Sequence, residues 1–500
     1  MAIETELKLR IAPEHLTKLK RHPFLRSLSS GRASTRKLYS IYFDTPDLQL
    51  HHEKMALRLR LVGKQWIQTM KGGGGVQAGL HQRNEWETPV TGEYLDFDSL
   101  DAMGATPLPQ RLRKKIQPVF ITDFNRSIRL LKFEGALIEL GLDSGEIRAG
   151  KSKYPISELE LELKAGDPLQ LFRLALSLLD IVPLEIETTS KAEYGYRLNS
   201  PVNAAVSKVQ ITKLDRDIPV KDALQSMTWS CLNHLQSNIP GAIKKSDVEY
   251  LHQVRISLRR LRIVMIMAKI VRTDEELDSL WNLVSKLGME LGRSREWDVF
   301  VTEILPSISN VNNANAKSVQ QILAREGEKH RLLNYQLVFA ALQNSDFQRL
   351  LLRFGAWMNG DYWKGFSYKG NLVDFSEKLL RTYTHKIVLK GQCVNNNDVN
   401  HKKLHKLRIA CKNLRYSTEL FSSILGISTA QNRTKLLISL QDTLGALNDN
   451  AVALYLLDEL NKGAKIDNIS LIKNEILSCH SKYLKRLQKE WKHFLKLATD

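Results

Sequence analysis

Cysteine is scarce in this chain: four residues in 500, Cys231, Cys393, Cys411 and Cys479, none of them before residue 231. Their scatter matches neither zinc-ligand spacing nor a disulfide framework, so they read as buried structural thiols in a reduced, cytoplasmic setting. No apolar run reaches the roughly 18 residues that a membrane span needs. The N-terminus is charged from its fourth residue and lacks the apolar core of a secretory leader. The eight tryptophans are scattered, without the stacking stripe that single-stranded nucleic-acid grooves use, which counts against a nucleic-acid partner. Acidic charge is also short, with 54 Asp and Glu against 73 Lys and Arg. The resulting formal charge of +19 points to anionic partners, and phosphate polymers, nucleic acids and acidic membrane surfaces all qualify on charge alone. Five hundred residues are ample for two cores.

What the chain does contain is period-two alternation of full charges with aliphatics. In Ile3 to Ile11, Glu4, Glu6, Lys8 and Arg10 share one strand face, while Ile3, Leu7, Leu9 and Ile11 share the other. Arg58 and Arg60 alternate with Leu57, Leu59 and Leu61. Arg83, Glu85 and Glu87 do the same after a glycine-rich stretch, Gly72 to Gly75, expected to be a turn behind Lys71. Asp143 closes the alternating run from Ile138, and Glu158, Glu160 and Glu162 alternate with Leu159, Leu161 and Leu163. A sheet facing water would mix lysine, threonine and serine on its wet side. Here the first and last strands carry carboxylates and the middle ones carry cations. Closing them into an antiparallel barrel would bring both sets to one ligand, a phosphate chain bridged by metal.

The opening Glu4-Thr-Glu6-Leu-Lys8, Leu57-Arg58-Leu-Arg60, Lys71, Arg83-Asn-Glu85 and Glu158-Leu-Glu160-Leu-Glu162 together resemble the CYTH, or triphosphate tunnel metalloenzyme, family. Tyr42-Phe43-Asp44-Thr45-Pro46, Gly79 to Arg83, Thr122 to Arg126 and Ser190-Lys191-Ala192 extend the likeness over roughly residues 1 to 199. It is most similar to bacterial inorganic triphosphatases that carry a helical domain behind the tunnel.

Pro201 to Pro219 mark a composition break, and a linker is expected at 200–216. Beyond it, 3.6-period patterns such as Asp222 to Leu235 and Ser439 to Leu460 replace the strands. His252, Arg255, Arg259 and Arg262 share their spacing with His405, Arg408, Lys412 and Arg415. On a helix these offsets fall within roughly a quarter-turn and make one basic stripe, whose plain alternative is a solvated charged face. His252 and His405 lie 153 residues apart, as do Gly292 and Gly445, and Glu296 and Asp449, so this half reads as an internal duplication. Asn448 replaces Arg295 and Ala451 replaces Asp298, so the second copy is weaker at its acidic end. The pattern resembles the CHAD domain, which implies two helical bundles with basic helices facing each other.

The expected architecture is therefore α+β, an N-terminal antiparallel barrel over 1–199 and an all-α domain over 217–500 with repeats of about 217–365 and 366–500. Arginine suits bidentate phosphate contacts and lysine point-charge contacts, which assigns Lys8, Arg58, Arg60, Lys71, Arg83, Arg126 and Lys191 to the phosphate chain. Glu4, Glu6, Asp143, Glu158, Glu160 and Glu162 are the candidate ligands for Mg²⁺ or Mn²⁺, with Glu4, Glu6 and Lys8 at the reaction itself. Register does not separate Glu158, Glu160 and Glu162; the family likeness favours the first two. Glu87 is expected to pair with the cationic strands, His81 to be an exposed loop histidine, and His51 and His52 a solvated loop pair. The implied reaction is hydrolysis of inorganic triphosphate to diphosphate and phosphate, with thiamine or nucleoside triphosphate hydrolysis, or adenylate cyclisation, as alternatives within the family. The helical half would bind polyphosphate along its stripes or serve as a protein scaffold.

Overall fold

A computed structural model of the chain describes residues 2–77, 79–105, 108–199, 205–244, 248–308, 314–395 and 399–498. Residues 200–204 of the expected linker and the side chain of Ile3 lie outside the described residues. Two compact units emerge: Met1–Val206 with Gln343–Gly365, and Ser207–Leu342 with Phe366–Asp500.

The first unit is a closed barrel. Its strands are β1 (Ala2–Ile11), β2 (Ser34–Asp44), β3 (Ala56–Val62), β4 (Gln65–Gln77), β5 (Leu80–Val90), β6 (Gln117–Phe133), β7 (Ala136–Ala149), β8 (Ser152–Ala165) and the short β9 (Leu184–Ile186). They pair in the order β5-β4-β3-β2-β6-β7-β8-β1, and β1 pairs back onto β5, so eight antiparallel strands form a ring; β9 adds to the end of β1. Both faces of β1 are buried. Leu7, Leu9 and Ile11 pack outward against the helix Leu169–Leu179, through Leu171, Phe172 and Leu178. Glu6 and Lys8 point the other way and are as little as 7% exposed. Leu57, Leu59, Met70 and Trp86 cover the opposite side of the barrel from outside. A strand sealed on both faces, one of them charged, is what a narrow polar lumen requires.

One end of that lumen is plugged. Phe120, Phe124 and Tyr42 lie on the inward strand faces and pack with Ala192 and Tyr196 of the helix Lys191–Asn199. Gly195 makes the approach close enough that a Cβ would stand 2.2 Å from the Phe120 ring. The glycine run expected to be a turn is instead strand: β4 continues to Gln77 with an irregularity between Gly72 and Gly75. Gly74 has φ +74°, and a Cβ there would meet the Gln82 carbonyl oxygen at 1.8 Å, so glycines let two backbones close up rather than reverse.

The helix Ser345–Met358, which by sequence groups with the first helical repeat, packs within the barrel's unit. Leu352 joins the core under β1. Gln348 Oε1 accepts from Ile186 N at 2.9 Å, and Gly355 admits the Phe172 ring.

The second unit is helical. The helices Val220–Ile243, Val248–Val271, Glu275–Val299 and Ala314–Gln343 are followed by Leu372–Asn395, His401–Leu420, Ile427–Ala464 and Ile469–Ala498. Corresponding helices begin 152, 153, 152 and 155 residues apart (372−220, 401−248, 427−275, 469−314), so the histidine offset belongs to a whole four-helix set. The two stripes occupy the second helix of each set. Cys231 and Cys411 are buried.

The tight seat of the plug gives a first test. Gly195→Val overpacks against Phe120 and should lower stability by about 1–3 kcal/mol, read as a drop in urea midpoint. An unchanged midpoint would mean that the helix does not pack as described.

Candidate active site

Strand register builds the lumen from rows. Glu4 stands opposite Arg83 across β1 and β5, Lys8 opposite Glu160 across β1 and β8, Asp143 opposite Glu158 across β7 and β8, and Arg126 opposite Asp143 across β6 and β7. One cavity of about 70 Å³ is lined by Glu4, Glu6, Lys8, Arg58, Arg60, Lys71, Arg83, Arg126, Glu160 and Lys191. All seven residues expected on the phosphate chain thus meet in one place, with three of the six expected metal ligands. Tyr42, Ala56, Ser190 and Ala192 complete the lining.

Most of these charges hold one another. Lys8 Nζ lies 3.0 Å from Glu6 and also pairs with Glu160. Lys71 pairs with Glu4 and, at 3.1 Å, with Glu85. Arg58 reaches Glu85 at 3.3 Å and Glu87 at 3.4 Å. Glu87 also accepts from Thr69 Oγ1 at 2.9 Å, the structural pairing expected of it. Arg126 makes a two-pronged contact with Asp143, at 2.7 and 2.6 Å, and reaches Glu160 as well.

Two cations differ. Arg60 donates to Ser40 Oγ at 3.1 Å, and neither Arg60 nor Arg83 takes part in an ion pair among the described residues. Burial, followed by the neighbouring Arg58 and Arg126 charges, brings Arg60 down to about 10. It stays charged at neutral pH with its charge unmatched. Burial would raise the Tyr42 phenol, but Arg58 and Arg60 outweigh it and lower the pKa.

Asp143, Glu158 and Glu160 form a compact buried carboxylate group, with one oxygen of each within 4.8 Å of the others. At its centre sits the Lys191 ammonium, 2.7 Å from Asp143 and 2.9 Å from Glu160, and paired with Glu158. Burial, and then the neighbouring Glu160 and Asp143 charges, push Glu158 up to about 7 despite Lys191. Burial also acts to raise Glu160, but Arg126, Lys191 and Lys8 hold it well below the usual carboxylate range. Three hard oxygen donors around a point already taken by a cationic group, with one carboxyl still short of positive charge, fit a hard divalent cation. Glu162 stands apart from this group and pairs with Lys164 at 2.6 Å. Glu4 and Glu6 are in the same lumen but engaged with Lys71 and Lys8.

Lys191 reaches the group because its helix starts there, with Ser190 Oγ accepting from Glu193 N at 3.2 Å. His81 lies on the strand face of Arg83 and Glu85 and is 1% exposed, not the exposed loop residue expected. Its Nε2 meets the Glu187 carbonyl oxygen at 3.3 Å. The misreading followed from taking the glycine run for a turn. His51 sits on the short helix Gln49–His52, stacked on Tyr196 at 4.2 Å and 2.9 Å from Glu193, whereas His52 is exposed. Tyr42 and Ser190, quoted only as parts of family motifs, are lumen-lining residues that no charge pattern singles out.

In the helical unit, a separate cavity of about 450 Å³ is lined by His252, Arg255 and Arg259 from one stripe and His405, Arg408 and Lys412 from the other, with Glu296 and Asp449. Arg262 and Arg415 are not in its lining. Arg262 lies over the Trp281 ring at 5.4 Å, and Arg415 pairs with Glu419 at 3.3 Å.

A closed antiparallel barrel with a charged, plugged lumen, followed by a duplicated helical unit, places this protein in the tunnel-barrel class. The family model for the CYTH domain matches residues 2–196, and that for the CHAD domain matches residues 226–458. The chain carries a CYTH domain followed by a CHAD domain. It is 35% identical over 204 residues to an inorganic triphosphatase of Haemophilus influenzae; the match covers 40% of this chain and 56% of that protein, so it spans little more than half of the relative's length. The crystal structure of the CHAD domain from the plant Ricinus communis is similar to 57% of this chain over 96% of its own length, with 26% identity and a TM-score of 0.50. No described helix is long and apolar enough to cross a membrane.

The buried imidazole has a measurable consequence. Burial, reinforced by Lys8, lowers His81 from 6.5 to about 3. The unfolded chain therefore takes up this proton before the folded one does, and the stability tied to it is lost as pH falls from about 6.5 toward 3. His81→Gln removes the titration. Comparing urea midpoints at neutral and acid pH should show a smaller acid loss in the variant; an identical loss would place the sensitivity elsewhere.

Proposed function

We propose that the barrel hydrolyses inorganic triphosphate to diphosphate and phosphate with a divalent metal, and that the helical unit binds polyphosphate. The observation that supports the first part best is the meeting, in one lumen, of an unmatched cation pair and a buried carboxylate group. Among the described residues no carboxylate pairs with Arg60 or Arg83, while Lys8, Arg58, Lys71 and Arg126 can trade carboxylate oxygens for phosphate oxygens of the same sign of charge. The lining is charged except for Tyr42, Ala56, Ser190 and Ala192, which suits a bare phosphate chain rather than a base or thiazole. The partly matching relative, itself an inorganic triphosphatase, points the same way.

Phosphoryl transfer depends mainly on positioning and charge stabilisation. The arginines fix the chain along the lumen and spread the charge that builds on the leaving diphosphate. Asp143, Glu158 and Glu160, with Glu4 and Glu6 nearby, would hold the metal, Lys191 turning from them to a phosphate oxygen. Such an ion polarises phosphoryl oxygens and acidifies a bound water.

Phosphate release from triphosphate, ATP and thiamine triphosphate, with Mg²⁺ and with Mn²⁺, decides the substrate; a clear preference for ATP would overturn the inorganic reading. The double variant Glu4→Ala/Glu6→Ala should abolish turnover with the fold intact. Arg60→Ala should lower kcat/KM by about 10²–10³-fold, the range for losing one preorganised charge-stabilising donor. An Arg60→Ala enzyme of normal activity would remove Arg60 from the phosphate chain.

For the helical unit, two basic stripes lining one cavity support polyanion binding. Retention on polyphosphate should weaken steeply with salt, as counterion release does for other polyanions. Arg255→Glu/Arg408→Glu should abolish it. Retention untouched by that charge reversal would favour the protein-scaffold reading instead.

A further inference from the structure

The cavity of the helical unit holds more cations than carboxylates. Among the described residues no carboxylate lies within ion-pair distance of Arg255, Arg259, Arg408 or Lys412. The three arginines have settled on neutral groups or none. Arg255 donates to the Leu291 and Gly292 carbonyls, and Arg259 donates to the Tyr416 hydroxyl at 2.7 Å. The buried Arg408 Nε has no partner.

Facing Lys412 across this cavity are His252, Arg255 and Arg259 from Val248–Val271, Arg295 and Glu296 from Glu275–Val299, and Asp449 from Ile427–Ala464. His401, His405 and Arg408 line it from its own helix. Cations outnumber the two carboxylates, and one group among them can answer by shedding its proton. Guanidinium groups stay charged even here, Arg255 being held at about 10, so the lysine amine is the group that yields.

We propose that the helical cavity takes up polyphosphate together with a proton, which is accepted by the Lys412 Nζ lone pair from bulk buffer. This rests on the polyphosphate reading above and adds the proton to it. With only protein groups around it, Lys412 is lowered to about 5, by burial first and then by Arg259 and Arg408. It is therefore neutral at physiological pH. A phosphate chain between the stripes reverses the local potential, and the ammonium form becomes the stable one. The sign follows from linkage: a complex that holds one more proton than its separated parts loses affinity as pH rises. His252 and His401 line the same cavity and are lowered from the ordinary histidine value. An anion there favours their charged forms by the same linkage, and it is the comparison with a Lys412 variant that isolates the lysine's share.

The experiment is calorimetry of the full chain with long-chain polyphosphate at about pH 7.5 to 9, in two buffers of different ionisation heat. Wild type should take up about one proton per cavity filled, and its affinity should fall by up to about tenfold per pH unit. Lys412→Arg, charged at every pH used, should bind with about one proton fewer than wild type and a correspondingly flatter profile. Wild-type binding without proton uptake would overturn the inference and leave the polyphosphate reading standing, and so would equal uptake in Lys412→Arg. Absence of binding at any pH tested would overturn both. Should the arginine variant fold poorly, Lys412→Gln, which has no titrating group at this position, gives the same comparison of proton uptake.

Discussion

Burying charge inside a barrel is costly unless it finds an opposite charge, and most of the register of this barrel is organised around that requirement. A lone ion moved from water into a protein interior loses several kcal/mol of solvation, which the partner must restore. Lys8 between Glu6 and Glu160, Arg126 forked onto Asp143, and Lys191 among three carboxylates each meet the demand. The same pairing suits the proposed chemistry, since a phosphate chain would replace carboxylate oxygens without changing the sign of what surrounds the cations. Where pairing is incomplete, at Arg60, Arg83 and the carboxyl of Glu158, the protein retains charge that a ligand can satisfy.

Much of this was readable from residues alone because period two is unforgiving. A one-residue slip would carry Glu6 and Lys8 outside and Leu7 and Leu9 into the lumen, so the alternation itself states which face is enclosed. What alternation does not carry is position along the barrel. Glu158, Glu160 and Glu162 share a face, and only their opposite numbers separate them. Glu158 and Glu160 stand across from Asp143 and Gly141 of β7, whereas Glu162 stands across from Glu139 and answers to Lys164. The glycine run misled for a related reason. Glycine permits both turns and close strand approach, and the 1.8 Å clearance at Gly74 depends on a neighbouring backbone that no local pattern records. Ser345–Met358 was likewise illegible, because an apolar helix face does not state which unit it covers.

The helical unit answers the same electrostatic problem differently. Its repeat was visible as a 153-residue offset, yet two arginines of the eight-residue stripe set, Arg262 and Arg415, are drawn off by Trp281 and Glu419. The remaining cations are kept by carbonyls, a tyrosine hydroxyl and half-burial rather than by carboxylates. That is the costlier arrangement for the protein by itself, since like charges face one another at short range.

The two charged cavities should therefore differ in kind. In the lumen, a ligand exchanges one set of anionic oxygens for another, so selectivity rests on geometry: how phosphate spacing matches Lys8, Arg58, Lys71 and Arg126 and the carboxylates left over for a metal. In the helical cavity the anion relieves repulsion already present, and almost any chain of regularly spaced negative charge does so. Geometry discriminates between ligands, whereas relief of repulsion mainly attracts them. On the proposed function, specific hydrolysis would belong to the paired site and general capture of polyanions to the unpaired one, in keeping with the charge partners of the individual side chains.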